Sequence, residues 1–193
     1  MGKPFIVFAT HNLNKIYELQ QLVSKEIIIL TLEDIGFEKK IQETGTTLKA
    51  NALLKAKAVH EYCNIPTIAD DTGLFVQSLS GAPAVHSARY AGENATSEEN
   101  TQKLLYQMKG ISTRYAYFET IFCHFQKGEY NFFIGKIEGE ISRQIQGRCG
   151  FGYDSIFKPI HSDKTFGQMT LEEKNNCSHR SKAITALHLF LHN

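Results

Sequence analysis

A chain of 193 residues with 42% apolar content carries enough hydrophobic mass for one large domain or two closely packed lobes. Its 21 Lys plus Arg and 20 Asp plus Glu leave a formal net charge of +1, which offers no general attraction to nucleic acid or anionic membrane, so an anionic ligand must be captured by a local cluster. Neither a signal-type leader nor an apolar run near the ~20 residues that span a bilayer is present, and the expectation is a soluble cytoplasmic protein without a membrane or nucleic-acid partner.

Pro4 to Ala9 is an unbroken apolar run, which suggests a short strand buried on both faces. After the polar turn Thr10, His11, Asn12, Leu13, Asn14, the residues Ile16, Leu19, Leu22 and Val23 fall at helical spacing, with Asn12 or Asn14 as cap and an end near Lys25. Ile27 to Leu30 reads as a second strand. The segment QETGTTLKANALLKAKAVHEYC sets Leu48, Ala52, Ala56, Val59 and Cys63 on one helical stripe, with Thr46 or Thr47 as cap. IPTIADDTGLFV then reads as a strand, a polar break at Asp70 to Gly73, and an apolar resumption at Leu74.

GAPAVHSARYAGEN lacks clean periodicity and is expected to be an ordered loop. Thr96 and Glu99 form a capping box that opens a helix running to Gly110. Arg114 to Gln126 and Asn131 to Ser142 are strand-like runs joined around Lys127 and Gly128, a hairpin signal. Beyond the glycine-punctuated GRCGFGYDSIF, a second capping box spans Thr170 to Glu173, and Ser178 can cap a last helix built on Ile184, Leu187 and Leu191. This order of elements defines an α/β protein with a mixed sheet and flanking helices. The cysteines Cys63, Cys123, Cys149 and Cys177 have no metal-knuckle or redox spacing and read as reduced, mostly buried thiols.

Four segments can carry chemistry. THNLNK joins a strand end to a helix N-terminus, where unpaired N–H groups and Lys15 favour an anion, although polar strand-to-helix turns are also common without one. In IADDTG, adjacent carboxylates can hold Mg2+, or one Asp can simply turn the chain; on an extended backbone Asp70 and Asp71 point to opposite faces. In GFGYDSIF the glycines allow close backbone approach, and Phe151 and Tyr153 offer faces for a base, unless the segment is a plain bulge. CSHRSKA places His179 and Arg180 at a helix start, where cations oppose the dipole and hint at an anionic or carbonyl-bearing ligand. Lys49, Lys55 and Lys57 could form a basic patch with Lys39 and Lys40 but read as ordinary helix-surface lysines, and Glu98, Glu99 and Lys103 as a solvated helix face.

Taken together, ATHNLNKIYEL, ETGTTLKANALLKA, IADDTGL, GAPAVHSARYAGE, GFGYDSIF and LEEKNNCSHRSKA make the chain resemble, end to end, the inosine triphosphate pyrophosphatase family. The resemblance implies a single catalytic domain over residues 1–193, two-lobed with the active site in a cleft between the lobes, Mg2+ as cofactor, a homodimer, and hydrolysis of ITP, dITP and XTP to monophosphate and pyrophosphate. Residue by residue, it implies a triphosphate turn at Thr10, His11, Asn12, Leu13, Asn14 and Lys15, and a catalytic base and metal ligand at Asp71. It further implies substrate contacts at Thr72 and Lys174, a nucleoside segment at Phe151, Gly152, Tyr153 and Asp154, and a purine-reading pair at His179 and Arg180. The SARY stretch around Arg89 also matches, with no role attached. His11 stands where the family often has a small residue, and Gln42 and Ala50 where it often has Glu, so Glu43 is placed as the second metal carboxylate. A pyrophosphatase for other modified nucleotides, or a non-catalytic nucleotide binder, is the competing expectation.

Overall fold

The computed structural model describes residues 3–23 and 26–192. Among the described residues seven strands form one sheet, in the order β2 (Ile28–Leu30), β1 (Phe5–Phe8), β3 (Thr67–Val76), β5 (Tyr115–Gln126), β6 (Glu129–Ile141), β7 (Phe157–Pro159), with β4 (Pro83–Ala84) paired to β3. The chain divides into two compact units: one holds the residues up to Asp71, Thr120–Gly135 and those from Arg180 on, and the other holds Thr72–Glu119 and Lys136–His179.

In the first unit, β1 (Phe5–Phe8) pairs in parallel with β2 (Ile28–Leu30) and with the start of β3 (Thr67–Val76), through the crossover helices α1 (Leu13–Leu22) and α2 (Leu48–Cys63). The unbroken apolar run of β1 is explained by two cores. Ile6 and Phe8 pack with Ile16, Leu19 and Val23 and with Ala183, Ile184 and Leu187 of α5 (His179–Leu191), while Val7 and Ala9 pack with Ala52, Ala56 and Val59 of α2. Asn12 caps α1 by accepting from the N–H groups of Asn14 and Lys15, and Thr47 caps α2 by accepting from Ala50. The expected end of α1 near Lys25 falls outside the described residues; the helix is described to Leu22. Cys63 is only half-buried at the end of its stripe.

In the second unit, the far part of β3 pairs antiparallel with β4 (Pro83–Ala84), and the second half of β6 (Glu129–Ile141) with β7 (Phe157–Pro159). One core gathers Leu74, Val76, Leu104, Met108, Phe118, Ile141, Tyr153, Ile156 and Phe166, against which α3 (Ser97–Gln107) lays Leu104. Both expected capping boxes form, Thr96 with Glu99 and Thr170 with Glu173, the latter opening α4 (Leu171–Asn175). The hairpin of β5 (Tyr115–Gln126) and β6 closes through Lys127 at φ 51 and Gly128 at φ 88, the pair of positive values that a two-residue turn requires.

Three expectations need correction. The polar break at Asp70 to Gly73 does not exist: β3 runs unbroken from Thr67 to Val76, because the buried carboxylates in it are paired with cations rather than solvated in a turn. The loop from Gly81 to Asn94 contains the short strand β4 and a 3-10 turn at Ser87–Arg89. Of the four free cysteines only Cys123 is buried; Cys149 is exposed because it sits in the irregular glycine segment. No helix among the described residues is long and apolar enough to cross a membrane.

Candidate active site

Strand alternation separates the two aspartates of β3 within the first unit. On the α1 and α5 side, Lys15 Nζ lies 2.8 and 3.0 Å from the two oxygens of Asp70, whose side chain is fully buried. Arg180, at the start of α5, pairs with Glu18 of α1, and its Nε lies 3.9 Å from Asp70. The result is a buried network of two cations and two carboxylates. Burial alone would raise the Asp70 pKa, but Lys15, Arg180 and Lys55 outweigh it and hold the carboxyl below its usual range. Burial likewise draws the Lys15 ammonium down; Asp70 opposes that pull, and Lys55 and Arg180 add to it.

The turn before Lys15 is closed by its own side chains. The Asn12 side chain holds the first helical N–H groups, and Thr10 Oγ1 accepts from the Asn12 N–H at 3.1 Å. His11, Leu13 and Asn14 stand exposed, Leu13 at 78%, whereas Thr10 and Asn12 are half-buried.

On the α2 side, Asn51 Nδ2 donates to Asp71 Oδ2 at 3.0 Å, and Lys55 Nζ lies 3.9 Å from Asp71 Oδ1 and 2.5 Å from Glu43 Oε1. Burial raises the Asp71 pKa; Lys55 works against that rise and Glu43 adds to it. For Lys55, burial would lower the pKa, but Asp71, Glu43 and Asp70 prevail and keep the ammonium charged. Two carboxylates thus converge on the Lys55 ammonium; carboxylates are also the donors that a hard ion such as Mg2+ takes, one or two at a time, with the remaining ligands from phosphate and water. Among the described residues no group of three or more His, Cys, Asp or Glu is placed to hold a metal, so protein ligands alone would not complete its shell.

The second unit assembles a different set. Asp154 Oδ2 accepts from the Phe151 N–H at 2.9 Å and from Lys174 Nζ at 2.7 Å, and that ammonium lies 4.9 Å from the centre of the Phe151 ring. A Cβ on Gly150 would come within 2.1 Å of Asp154 Oδ2, so the turn closes only with glycine there. The His179 ring stacks on Phe118 at 4.5 Å and 14°. Thr72, half-buried, follows Asp71 in β3. Tyr153 departs from the expectation of an open stacking face: its ring is 3% exposed in the core, and its hydroxyl donates to the Ser87 carbonyl at 2.9 Å. Ser87 also donates to the Ala84 carbonyl and accepts from the Leu74 N–H, which gives the SARY stretch a bracing role.

Against the expectation of a surface lysine, Lys55 joins Asn51 in facing Asp71, and Glu18 and Asp70 share a buried network that the motifs do not announce. A signal existed for the first two: Asn51 and Lys55 are four apart in α2, flanking the Ala52 and Ala56 stripe. Glu18 is three residues past Lys15, between the apolar positions Ile16 and Leu19.

The result is a mixed α/β protein with a lysine-bearing strand-to-helix turn and buried lysines set against carboxylates. The chain belongs to the Ham1 family, whose model matches residues 6–190. It is 46% identical to a dITP/XTP pyrophosphatase of Christiangramia forsetii, over 96% of this chain and 98% of that one, and 40% identical to a dITP/XTP pyrophosphatase of Bacillus subtilis, over 94% and 93%. Among solved structures, the Ham1 protein of Staphylococcus aureus has a TM-score of 0.89 at 37% identity, and a HAM1 protein of Coxiella burnetii 0.90 at 36%, each covering 97% of this chain and 98% of the other.

Proposed function

We propose that this protein hydrolyses non-standard purine nucleoside triphosphates, ITP, dITP and XTP, to the monophosphate and pyrophosphate, and so cleanses the nucleotide pool. The observation that carries the proposal is the Asp71 cluster: a carboxylate with a raised pKa, oriented by Asn51, beside Lys55 and Glu43. The names of its 40–46% identical relatives support the choice of substrate.

The phosphates engage Lys15 and the turn Thr10 to Asn14, with Lys55 and Lys174 adding charge. Asp71 orients a water molecule and takes its proton as the oxygen attacks the α-phosphorus, and pyrophosphate departs. Mg2+ held by Asp71 and Glu43 would neutralise charge on the phosphate oxygens. Phe151, Gly152 and Asp154, with Thr72, hold the nucleoside, and His179 and Arg180 discriminate the base. Hypoxanthine and xanthine present a keto oxygen at the six position; adenine presents an amino group, which against a buried donor leaves both unpaired at a cost of about 1–3 kcal/mol each. The motifs shared with the pyrophosphatase family further support Mg2+ dependence, a homodimer, a cytoplasmic location and a single catalytic domain over residues 1–193.

Pyrophosphate release from ITP, dITP, XTP, GTP, ATP and the pyrimidine triphosphates in Mg2+ tests the proposal. Release favouring the first three is expected; release from none of them, or a preference for pyrimidines, overturns it.

A further inference from the structure

We propose that Ser97 and Thr101 of α3 are positioning residues for the nucleoside-binding turn, which they grip at Gly152. The proposal rests on the reading of Phe151 to Asp154 as the segment that holds the nucleoside. Gly152 sits at φ 62, a conformation that side-chain-bearing residues rarely adopt, and an added Cβ would meet nothing within 4 Å. The need for glycine is therefore conformational, and this conformation is held from outside. The Gly152 N–H donates to Ser97 Oγ at 3.3 Å, and the Gly152 carbonyl accepts from Thr101 Oγ1 at 3.3 Å.

Neither hydroxyl is needed by the helix itself. The N-terminus of α3 is already closed by the capping box of Thr96 and Glu99. A threonine inside a helix commonly returns its hydroxyl to the carbonyl one turn back, yet Thr101, only 2% exposed, turns it to Gly152. The neighbouring Asn100 fixes α3 in turn: its amide donates to the Ala88 carbonyl at 3.0 Å and accepts from the Ala91 N–H at 2.7 Å. Tyr153 ties the turn to the same loop through Ser87, which closes a ring of contacts from α3 to the 87–91 loop to the turn and back. The same turn carries Phe151 and Asp154, the latter bonded to Lys174; a groove of about 370 Å³ is lined by Ser97, Glu98 and Thr101 of α3 and by the glycine segment, Phe151 and Asp154 among it. A small displacement of Gly152 moves the Phe151 ring and the Asp154 carboxylate together, and thereby alters which base fits.

The test compares Thr101→Val, which keeps shape and removes the donor, Ser97→Ala, the double variant, and Thr101→Ser as rescue. Each is assayed with ITP and GTP, alongside thermal unfolding. The expected result is a fall of about tenfold in the ITP-over-GTP ratio of kcat/KM for the double variant, carried by KM for ITP with kcat within about twofold, partly present in Thr101→Val and restored in Thr101→Ser. Folded variants that keep the ratio within about twofold, or that lose kcat equally for both substrates, overturn the proposal while leaving the substrate reading intact. An unmodified protein that fails to prefer ITP over GTP overturns the substrate reading, and this inference with it.

Discussion

Asp70 and Asp71 are adjacent in β3 and are held on opposite faces of it, Asp70 by Lys15 at 2.8 Å and Asp71 by Asn51 at 3.0 Å. The first carboxylate is enclosed by cations; the second is raised in pKa and shares Lys55 with Glu43. Neighbouring residues of one type thus carry different work. Asp70 is tied to Lys15 and Arg180, and the proposed function leaves Asp71 to chemistry.

Asp70→Asn leaves the Lys15 ammonium beside an uncharged amide, and breaking a buried pair in this way costs about 3–5 kcal/mol. Urea unfolding of this variant should show a loss of that size. Asp71→Asn should stay within about 1 kcal/mol of the unmodified protein and lose at least roughly a hundredfold in kcat. The opposite assignment of effects would refute this division of labour.

The pH dependence follows from the same pair. Asp71 must be ionised to accept a proton, and its pKa is raised, so kcat/KM should fall as pH drops through a value above the usual 3.8. Lys55 opposes that rise, so Lys55→Met should move the acid limb to higher pH. For stability the sign is set by Asp70: its folded pKa lies below the unfolded value, so its contribution is present above the unfolded pKa and is lost as pH falls through the folded one. Acid titrations of kcat/KM and of the unfolding midpoint check both.

Much of this architecture was legible because the signals were local. The two-faced burial of β1, the Asn12 and Thr47 caps, the boxes at Thr96 and Thr170 and the Lys127–Gly128 turn each depend on a few consecutive residues. The continuity of β3 was not, since the partners that allow Asp70 to be buried lie 55 residues back at Lys15 and in α5 at Arg180. Lys55 fails for the same reason: a lysine beside an apolar stripe looks solvated until a strand brings Asp71 against it. The alternation of Asp70 and Asp71, which needs only an extended backbone, was readable.

Asp154 and Lys174 form a pair with side chains only 5% exposed. Lys174→Met should cost about 3–5 kcal/mol by leaving the buried Asp154 charge without its cation, and adding Asp154→Asn should recover much of that loss. KM for ITP should stay elevated in the double variant, which separates support of the turn from support of the fold. Full recovery of KM with stability would remove Lys174 from substrate binding.

Gly147 sits at φ 85, where a Cβ would come within 2.0 Å of the Gly167 carbonyl oxygen. Gly147→Ala therefore combines backbone strain with a backbone clash and should lower stability by about 2 kcal/mol or more, read by thermal unfolding.

The site of bond cleavage decides the central claim. ITP is hydrolysed in water enriched in oxygen-18, and the products are resolved by phosphorus NMR and mass spectrometry. Attack at the α-phosphorus gives IMP carrying one labelled oxygen and unlabelled pyrophosphate, the expected result. Inosine diphosphate with free phosphate, or label in the pyrophosphate, would contradict it.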